Sequence, residues 1–420
     1  MSLVEIRCPI YGFVTLNEWE AEIVAQPEFQ RLRRIRQLGW TDAVYPGAMH
    51  TRFEHSLGVM HMATQLFDGI VSRNQELLKS ELAYTTDGLH RHRQLVRLAA
   101  LLHDIGHGPF SHAAEELFQT ASGTPAARRH QHEEYSLAII RSSFRDLIEN
   151  HPANRNCGFT ADDVAGLIEG KAKAGPASLW QDLISGQIDA DRMDYLLRDS
   201  WHAGVEYGKY DWRRVVICVE LVPDPETGSL RFGISDGGRH VAEALIIARY
   251  MMFSQVYFHK TRVILDHHLE QAMRSLITEG QFPPPVPERL HAYLDWDDWR
   301  VLGRFAAGEG GDHARRLRER RPFKLVWETS EFPDESEMEQ LAAAEAALAP
   351  LLPVRRAAAN SWYRLAPAED PLVKASNPGG TTRPLSQESA IVRNMHPSRR
   401  VRLYVRPEDR QAASNRLQGL

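Results

Sequence analysis

The residues of this sequence best suited to chemistry are His55, His103, Asp104 and Asp191. His103 and Asp104 are adjacent and directly follow the apolar run LVRLAALL (95–102). A carboxylate in a buried position is costly unless it is paired, hydrogen-bonded or bound to a cation. With His55 and Asp191, the set offers two imidazoles and two carboxylates, which suits manganese, magnesium, iron, cobalt, nickel or zinc. The sequence therefore predicts a divalent metal site with positions left open for water and substrate.

A His-Asp dipeptide alone is a weak signal, because such pairs also occur as ordinary helix caps or surface pairs. Here the dipeptide is one of four motifs, and several of the chain's 19 histidines lie in the first three. Histidine is a common metal ligand and a ready acid–base group, so this grouping indicates a functional site. The motifs are HTRFEHSLG (50–58), LLHDIGHGPFSH (101–112), RRHQHEEYS (128–136) and QIDADRMDYLLRDS (187–200).

Two further segments, PEFQRLRRIRQLG (27–39) and MMFSQVYFHK (251–260), extend the pattern. In this order and spacing, the motifs resemble those of the HD-domain deoxynucleoside triphosphate triphosphohydrolases, a family that includes the animal enzyme with SAM and HD domains. The resemblance covers residues 5–275. It implies that His55, His103, Asp104 and Asp191 are the metal ligands. It also implies that the substrate is a deoxynucleoside triphosphate, cleaved to deoxynucleoside and inorganic triphosphate.

The resemblance also implies the acid–base residues. His132 matches the histidine taken as a general acid near the scissile phosphate, a role that suits its neutral-range pKa. Glu133 is placed to orient or tune that ring. Glu115 stands where the family has an aspartate that works with the histidine. Glutamate is one methylene longer, so this position departs from the family pattern.

The substrate contacts implied by the resemblance fall into three groups. Fixed positive donors offset phosphate charge, aromatic walls enclose the sugar, and polar groups contact its hydroxyls. An apolar wall where a 2′-hydroxyl would lie penalises ribose and favours deoxyribose. Arg192 stands where the animal enzyme has lysine, which keeps the charge but changes the hydrogen-bond geometry. The residues implied to contact phosphate are Arg52, His112, Arg192, Arg249 and Lys260. The residues implied to contact the sugar are Gln37, Leu38 and Asp199, and the aromatic walls are Tyr195 and Tyr257.

Some of these residues also have plain structural interpretations. His107 and His112 would serve equally as structural partners of the metal ligands, which is the reading we favour for His107. Tyr257 would serve equally in core packing. The basic run at residues 315–324 is typical of a solvated helix face, although relatives in the family bind regulatory nucleotides at subunit contacts.

The elements that must position these groups are mostly helices. Apolar residues recur at three- and four-residue steps over 52–73, and a second helix, over 94–105, is apolar nearly all round. Residues 16–39 form one or two short helices, and 240–278 is helical. Residues 215–222 and 230–234, around the turn PDPETGS, form a β-hairpin. The predicted fold is mainly α: an HD-domain helical bundle with a small β-hairpin.

The chain divides into two predicted regions. Residues 1–280 form the HD phosphohydrolase core, and residues 281–420 form a C-terminal α+β region with an oligomerisation or regulatory role. The second region has predicted helices at 288–307 and 335–349, a strand at 401–405 and a short helix after Pro407.

The chain-wide properties limit the function classes. Lys+Arg of 50 against Asp+Glu of 55 gives a net charge of −5, which makes nucleic acid an unexpected partner. No CxxC pair occurs among the three cysteines, so neither a disulfide framework nor a thiolate zinc site is expected. We predict no signal peptide and no membrane span, and expect a cytoplasmic location. From the family, a homo-oligomer and a regulatory nucleotide are expected.

Two other functions stay open at this stage. One is a phosphoester hydrolase of another type: a phosphatase for other deoxynucleotides, a nuclease or a cyclic-nucleotide phosphodiesterase. The sugar-contact segments QLG (37–39) and DYLLRD (194–199) disfavour the last two. The other is a nucleotide sensor that binds without turnover, which would not need four metal ligands together with His132.

Overall fold

The computed structural model describes residues 3–120, 128–170, 176–357, 370–375 and 381–418. Helices dominate this part of the chain, which confirms the mainly α fold. None of the described helices is both long enough and apolar enough to cross a bilayer. The helices are α1 (Glu18–Ala25), α2 (Pro27–Gln30), α3 (Arg52–Arg73), α4 (Gln75–Ser80), α5 (Thr86–Leu102), α6 (His132–Arg141), α7 (Arg145–Glu149), α8 (Ala161–Glu169), α9 (Asp182–Ser185), α10 (Ala190–Ala203), α11 (Trp212–Cys218), α12 (Arg239–Met252), α13 (Lys260–Leu276), α14 (Pro287–Leu294), α15 (Asp298–Ala306), α16 (Gly311–Arg318), α17 (Glu335–Leu348), α18 (Leu385–Glu388), α19 (Ala390–Arg393) and α20 (Arg410–Leu417).

Short strands form three small sheets. The strands are β1 (Val4–Cys8), β2 (Gly12–Leu16), β3 (Val219–Pro223), β4 (Leu230–Ser235), β5 (Lys324–Glu328), β6 (Val354–Ala357), β7 (Leu372–Lys374), β8 (Thr382–Pro384) and β9 (Val401–Val405). The sheet orders are β1-β2, β3-β4-β7-β8 and β5-β9-β6. The predicted hairpin exists as the antiparallel pair β3-β4. However, residues 215–218 belong to α11, so the first predicted strand begins four residues too early.

Helices α3, α5 and α10 form the centre of the molecule. The α3 bounds are those predicted from apolar periodicity, and α3 packs against both α5 and α10. The second predicted helix differs at both ends: Thr85 caps α5 by accepting from the Gly88 N–H at 3.0 Å, and the helix ends at Leu102. His103 and Asp104 therefore lie in the turn after a buried helix, where the directions of their side chains are not set by the periodicity of α5.

The hydrophobic core continues past residue 280. Phe282, Leu290, Tyr293 and Trp296 are buried in the same cluster as the side chains of α3 and α5. Strand β7 pairs in parallel with β4, which joins the later region to the predicted hairpin. The sheet β5-β9-β6 has a separate small core with α17 and α20. The division of the chain at residue 280 stays a prediction.

A histidine cluster lies where α13 packs against α16. His268 is fully buried; its Nδ1 lies 2.8 Å from His313 Nδ1, and its Nε2 accepts from the Phe323 N–H at 3.1 Å. Burial and the neighbouring imidazoles of His313 and His267 lower the pKa of His268 to about 3. The His268 imidazole therefore stays neutral in the folded protein at pH values where it is protonated in the unfolded chain.

We expect this cluster to make the fold acid-sensitive. The folded pKa of His268 lies below the unfolded value, so its stability contribution is full above about pH 6.5 and is lost as the pH falls toward 3. Between pH 6.5 and 5, the wild type should lose about 1–2 kcal/mol more stability than His268→Gln, which keeps an acceptor for Phe323 but does not titrate. Urea unfolding at the two pH values measures this difference. Equal losses in the two proteins would contradict it.

Candidate metal centre and nucleotide cleft

The four predicted ligands come together from three elements: α3, the turn after α5, and α10. His55 Nε2 lies 3.0 Å from Asp191 Oδ1 and 3.4 Å from Asp104 Oδ2. His103 Nε2 lies 3.3 Å from Asp104 Oδ1 and 3.6 Å from Asp191 Oδ1. Both Nε2 atoms are buried and make no hydrogen bond of acceptable geometry. Two imidazole nitrogens and two carboxylates thus converge on one point, and a divalent cation would satisfy them together.

The far side of each imidazole is held so that Nε2 faces the centre. His55 Nδ1 lies 2.8 Å from Asp194 Oδ2, and His103 Nδ1 lies 2.8 Å from the Ala100 carbonyl oxygen. Since these oxygens only accept, each Nδ1 carries a proton, and each Nε2 is left facing the carboxylates of the centre, where it can bind a metal. Arg198 donates twice to Asp194 at 2.8 Å. A Cβ at Gly58 would lie 2.0 Å from Asp194 Oδ1, so glycine is required there.

The electrostatics of the centre favour a cation. Burial raises the pKa of Asp104, but His103 and Arg52 outweigh it and hold that pKa well below the usual range. Burial lowers the pKa of His55, but the nearby carboxylates of Asp191, Asp194 and Asp104 raise it to about 10. The carboxylates are therefore anionic and attract positive charge. A metal would take the place that protons occupy in its absence.

A cavity of about 590 Å³ opens over this centre. Asp104 and Asp191 reach its surface, whereas His55 and His103 lie beneath it. Most of the predicted substrate and acid–base residues line this one cavity. The lining is Gln37, Leu38, Arg52, Asp104, His107, His112, Glu115, His132, Glu133, Asp191, Tyr195, Asp199, Phe253, Tyr257, Phe258 and Arg262.

His132 and Glu115 form a close pair beside the centre. His132 Nδ1 lies 2.7 Å from Glu115 Oε1 and 3.3 Å from Glu133 Oε2, and its Nε2 lies 3.8 Å from Asp104 Oδ1. Burial lowers the pKa of His132, but Glu115 and Glu133 raise it to about 9. At 2.7 Å the Glu115 carboxylate contacts His132 directly, although its side chain is one methylene longer than the aspartate of the family pattern. It also accepts from His112 Nδ1 at 2.9 Å.

The cleft wall nearest the centre carries Arg52 and His107. Arg52 is buried, and it donates to Asp104 Oδ2 at 2.6 Å and to Ser111 Oγ at 2.8 Å. His107 stacks on His132 with ring centroids 3.7 Å apart, and its Nε2 lies 3.3 Å from Asp104 Oδ1. Neither ring nitrogen of His107 has a hydrogen-bond partner among the described residues. This wall thus offers polar groups still available to a ligand.

Asp199 lines the same cleft eight residues after Asp191 on α10, about 12 Å further along the helix, and has two donors on its carboxylate. Tyr257 donates its hydroxyl to Oδ2 at 2.6 Å, and His50 Nε2 lies 2.8 Å from Oδ1. The rings of Tyr257 and Tyr195 are 6.2 Å apart at 69°, which gives this end an aromatic wall. The cleft therefore has a charged end at the metal centre and an end suited to a sugar.

Comparison with known proteins agrees with this geometry. Residues 52–199, which contain all four predicted ligands, match the HD domain, and residues 226–413 match the HD associated region. An uncharacterized protein of Bacillus subtilis, YwfO, is 33% identical over 76% of this chain and 70% of its own length. The chain belongs to the HD-domain phosphohydrolase family. HD domains bind divalent metals, and three of the predicted ligands, His55, His103 and Asp104, form a cluster within the matched region that could hold a metal ion.

Other relatives of this HD phosphohydrolase include a named enzyme. Human deoxynucleoside triphosphate triphosphohydrolase SAMHD1 is 32% identical over 50% of this chain, which spans only 35% of that enzyme's length. A solved structure of a hypothetical protein from Aquifex aeolicus is 26% identical, with a TM-score of 0.79 over 99% of this chain and 100% of its own. A phosphohydrolase from Bacteroides thetaiotaomicron is 25% identical, with a TM-score of 0.70 over 96% of this chain and all of its own.

Three predicted phosphate-binding residues lie outside the cleft lining. The Arg192 guanidinium bonds to the Asp189 carboxylate and the Gly186 carbonyl, beside a separate pocket of about 260 Å³. Arg249 has its guanidinium carbon 5.9 Å from the centroid of the Phe253 ring. Lys260 begins α13, and its carbonyl accepts from a tyrosine hydroxyl. Their phosphate contacts stay predictions.

Residues that the sequence pattern did not single out take part in the lining. The helix predicted over 240–278 is interrupted: α12 ends at Met252, a π-turn spans Phe253–Tyr257, and α13 starts at Lys260. This break places Phe253, Phe258 and Arg262 along the cleft with Tyr257. Pi-turns inside helices frequently occur at functional sites, but apolar periodicity does not reveal them.

A segment from beyond residue 280 holds the loop that follows the His-Asp pair. Phe110 and Ser111 both adopt the left-handed region, with φ of 57° and 58°. Asp298 accepts from the Phe110 N–H at 2.7 Å, and the Tyr293 hydroxyl donates to the Gly106 carbonyl at 2.6 Å. Arg31 donates to the His107 carbonyl at 2.9 Å. These contacts stabilise a strained loop that carries His107 and supports Arg52 through Ser111.

We expect Asp298→Ala to impair catalysis without loss of metal. Release of Phe110 and Ser111 from their strained conformation shifts the loop beside the centre, and misplacement of about 1 Å costs about 100-fold in rate. Steady-state kinetics and metal analysis measure the two effects. Asp297→Ala is the matched control, because Asp297 caps α15 and pairs with Arg34 but does not touch the loop. Equal activity of the two variants would contradict this role.

Proposed function

We propose that this HD phosphohydrolase cleaves deoxynucleoside triphosphates to deoxynucleoside and inorganic triphosphate. The observation that carries the proposal is a single cleft with three parts in sequence. The four-ligand centre is at one end, the His132–Glu115 pair is beside it, and Asp199 with its tyrosines is at the other end. The printed name of the human relative supports the same substrate class.

His55, His103, Asp104 and Asp191 fit a divalent metal ion. When bound, the metal supplies Lewis-acid polarisation of a phosphoryl oxygen and favours deprotonation of water. Arg52 holds Asp104 in place, because one guanidinium nitrogen donates to Asp104 Oδ2 while another is fixed by its bond to Ser111 Oγ. His112 provides an imidazole donor toward the triphosphate from the cleft lining.

His132 acts as the general acid in this mechanism. Water attacks the α-phosphorus, the bond from that phosphorus to the 5′-oxygen breaks, and His132 Nε2–H protonates the departing 5′-oxygen. Glu115 and Glu133 keep the proton on the ring until transfer, because both carboxylates lie close to Nδ1 and raise the pKa. The products are a neutral deoxynucleoside and a triphosphate.

The sugar end of the cleft favours deoxyribose. Tyr195 and Tyr257 form an aromatic wall, against which a 2′-hydroxyl would lose its water without gaining a partner. Asp199 and Gln37 provide acceptors for a sugar hydroxyl at the same end. We assign the 3′-hydroxyl to these acceptors.

One chromatographic assay tests the proposed reaction. The metal-loaded protein is incubated with each of the four deoxynucleoside triphosphates, with manganese or magnesium, and the products are separated. Deoxynucleoside with intact triphosphate supports the proposal. Monophosphate with pyrophosphate identifies a different cleavage, and tight binding without products identifies a sensor.

The same assay, run with pairs of nucleotides, tests two further parts of the proposal. We propose a homo-oligomer in which a second nucleotide activates turnover, with residues 281–420 contributing to assembly or regulation. Family resemblance supports this part. Activation of one nucleotide's hydrolysis by another, together with a change in elution volume on size exclusion, is the expected result. Turnover of single nucleotides by a monomer would contradict it.

A further inference from the structure

His50 is a buried histidine that the mechanism above does not use. Its side chain is 2% exposed, and it lies just before α3, at the sugar end of the cleft. Its ring stacks on His202 with centroids 4.4 Å apart and planes 16° apart. Its Nε2 lies 2.8 Å from Asp199 Oδ1, and its Nδ1 has no hydrogen-bond partner among the described residues. Among the described residues, the hydrogen bond to Asp199 is therefore the one that the His50 ring makes.

The bond from His50 fixes the direction of the Asp199 carboxylate. Because a carboxylate only accepts, His50 Nε2 must carry the proton. Tyr257 donates to the other oxygen at 2.6 Å, so the carboxylate is held from both sides. Each oxygen retains a further lone pair, and Asp199 lines the cleft. The carboxylate is therefore a rigid acceptor for a ligand rather than a freely rotating one.

The backbone of His50 holds a second acceptor. The Gln37 N–H donates to the His50 carbonyl oxygen at 3.0 Å. Gln37 Oε1 is buried, lines the cleft and has no hydrogen-bond partner among the described residues. A buried unpaired acceptor is costly, which indicates that a ligand donor completes it. Two acceptors at one end of the cleft require a hydroxyl or amine donor from the ligand.

We propose that His50 is a positioning residue whose ring holds the Asp199 carboxylate, beside Gln37, to accept from one sugar hydroxyl, and so sets the preference for ligands that carry it. His50 does not touch the ligand itself. This inference rests on the proposed function for the identity of the ligand as a deoxynucleotide. A nucleoside without the 3′-hydroxyl would leave Gln37 Oε1 unpaired and would remove the ligand donor from Asp199.

The test compares ligands that differ only at the 3′-position. Binding of 2′-deoxyguanosine and 2′,3′-dideoxyguanosine to the metal-loaded protein is measured by NMR titration, and kcat/KM is measured for the two triphosphates. We expect the wild type to prefer the 3′-hydroxyl by about 10- to 100-fold, the usual effect of one hydrogen bond to a charged group. His50→Leu should lower this ratio, because the Asp199 carboxylate loses one of the two donors that fix its direction. His50→Gln, which keeps an N–H donor toward Asp199, should retain most of it.

A purely structural role would change both ligands alike. His92→Leu is the matched control, since His92 is buried on α5 and bonds to the Gly88 carbonyl at 2.7 Å, away from the residues that line the cleft, and its ratio should stay at the wild-type value. An unchanged ratio in His50→Leu, or an equal loss for both ligands, would overturn the inference. If the wild type turns over no deoxynucleotide, the proposed function fails, while the nucleoside titration still decides the role of His50.

Discussion

Replacement of both His103 and Asp104 by alanine is expected to abolish turnover and to remove the bound metal. The double variant loses one imidazole and one carboxylate of the four groups that converge on the centre. It also leaves the buried Arg52 guanidinium without its acceptor at 2.6 Å. Metal polarisation is worth several kcal/mol in such reactions, so the expected loss in kcat/KM is about 10³-fold or more.

The measurement combines product analysis with elemental analysis of the protein after chelation and reloading. The matched control is Asp87→Ala with His90→Ala, which removes the same residue types from an exposed part of α5. The control should keep one equivalent of metal and normal turnover. Robust activity of the His103 and Asp104 double variant after metal is restored would contradict the assignment of these residues as metal ligands. Loss of metal should also lower the thermal midpoint of the wild type, because a ligand that binds only the folded state stabilises it.

The candidate metal centre could be proposed from the sequence because each of its residues lies in a recognisable local pattern. A carboxylate beside a buried apolar helix needs a cation, and each ligand lies in a short motif whose helix was recognisable from apolar periodicity. The bounds of α3 agree with the prediction residue for residue. Gly58 carried a further signal, since only glycine leaves room for Asp194 behind His55.

Helical spacing explains one difference between the predicted and observed cleft. Asp191, Tyr195 and Asp199 are four residues apart on α10, so they share one face, and all three line the cleft. Arg192 is one residue further along and therefore about 100° around the helix axis. From there it pairs with Asp189, which also caps α10. The four-residue spacing of Asp191, Tyr195 and Asp199 in the sequence therefore predicts that Arg192 lies off the helix face that they share.

The remaining features depend on contacts between distant parts of the chain. Asp298 bonds to Phe110 across nearly two hundred residues, and no local pattern marks it as a support for the catalytic loop. The π-turn that directs Tyr257 toward Asp199 is a departure from helical periodicity rather than an expression of it. Such features arise from tertiary packing, which propensity and spacing do not encode.

Loss of the His132 side chain is expected to reduce kcat about 10²- to 10⁴-fold while metal binding is retained. General-acid catalysis by a positioned histidine contributes an effect of this size. His132 is not among the four ligands, and its Nε2 lies 3.8 Å from the nearest ligand oxygen, on Asp104. His132→Gln keeps the approximate volume and a hydrogen-bond donor but provides no acid for the departing 5′-oxygen. Metal content, KM and kcat are measured together, and most of the change should fall on kcat.

Two substitutions of Glu115 test the same acid–base pair with smaller expected effects on kcat. Glu115→Gln removes the negative charge 2.7 Å from His132 Nδ1 but preserves an acceptor, so it should reduce kcat less than His132→Gln. Glu115→Asp restores the family's residue but shortens the side chain by one methylene, and loss of contact should again reduce kcat. His130→Ala is the matched control, because His130 pairs with Glu134 at 3.1 Å near the start of α6 but does not line the cleft. If His132→Gln kept full kcat for a deoxynucleoside triphosphate, protonation of the departing oxygen would have to come from another group.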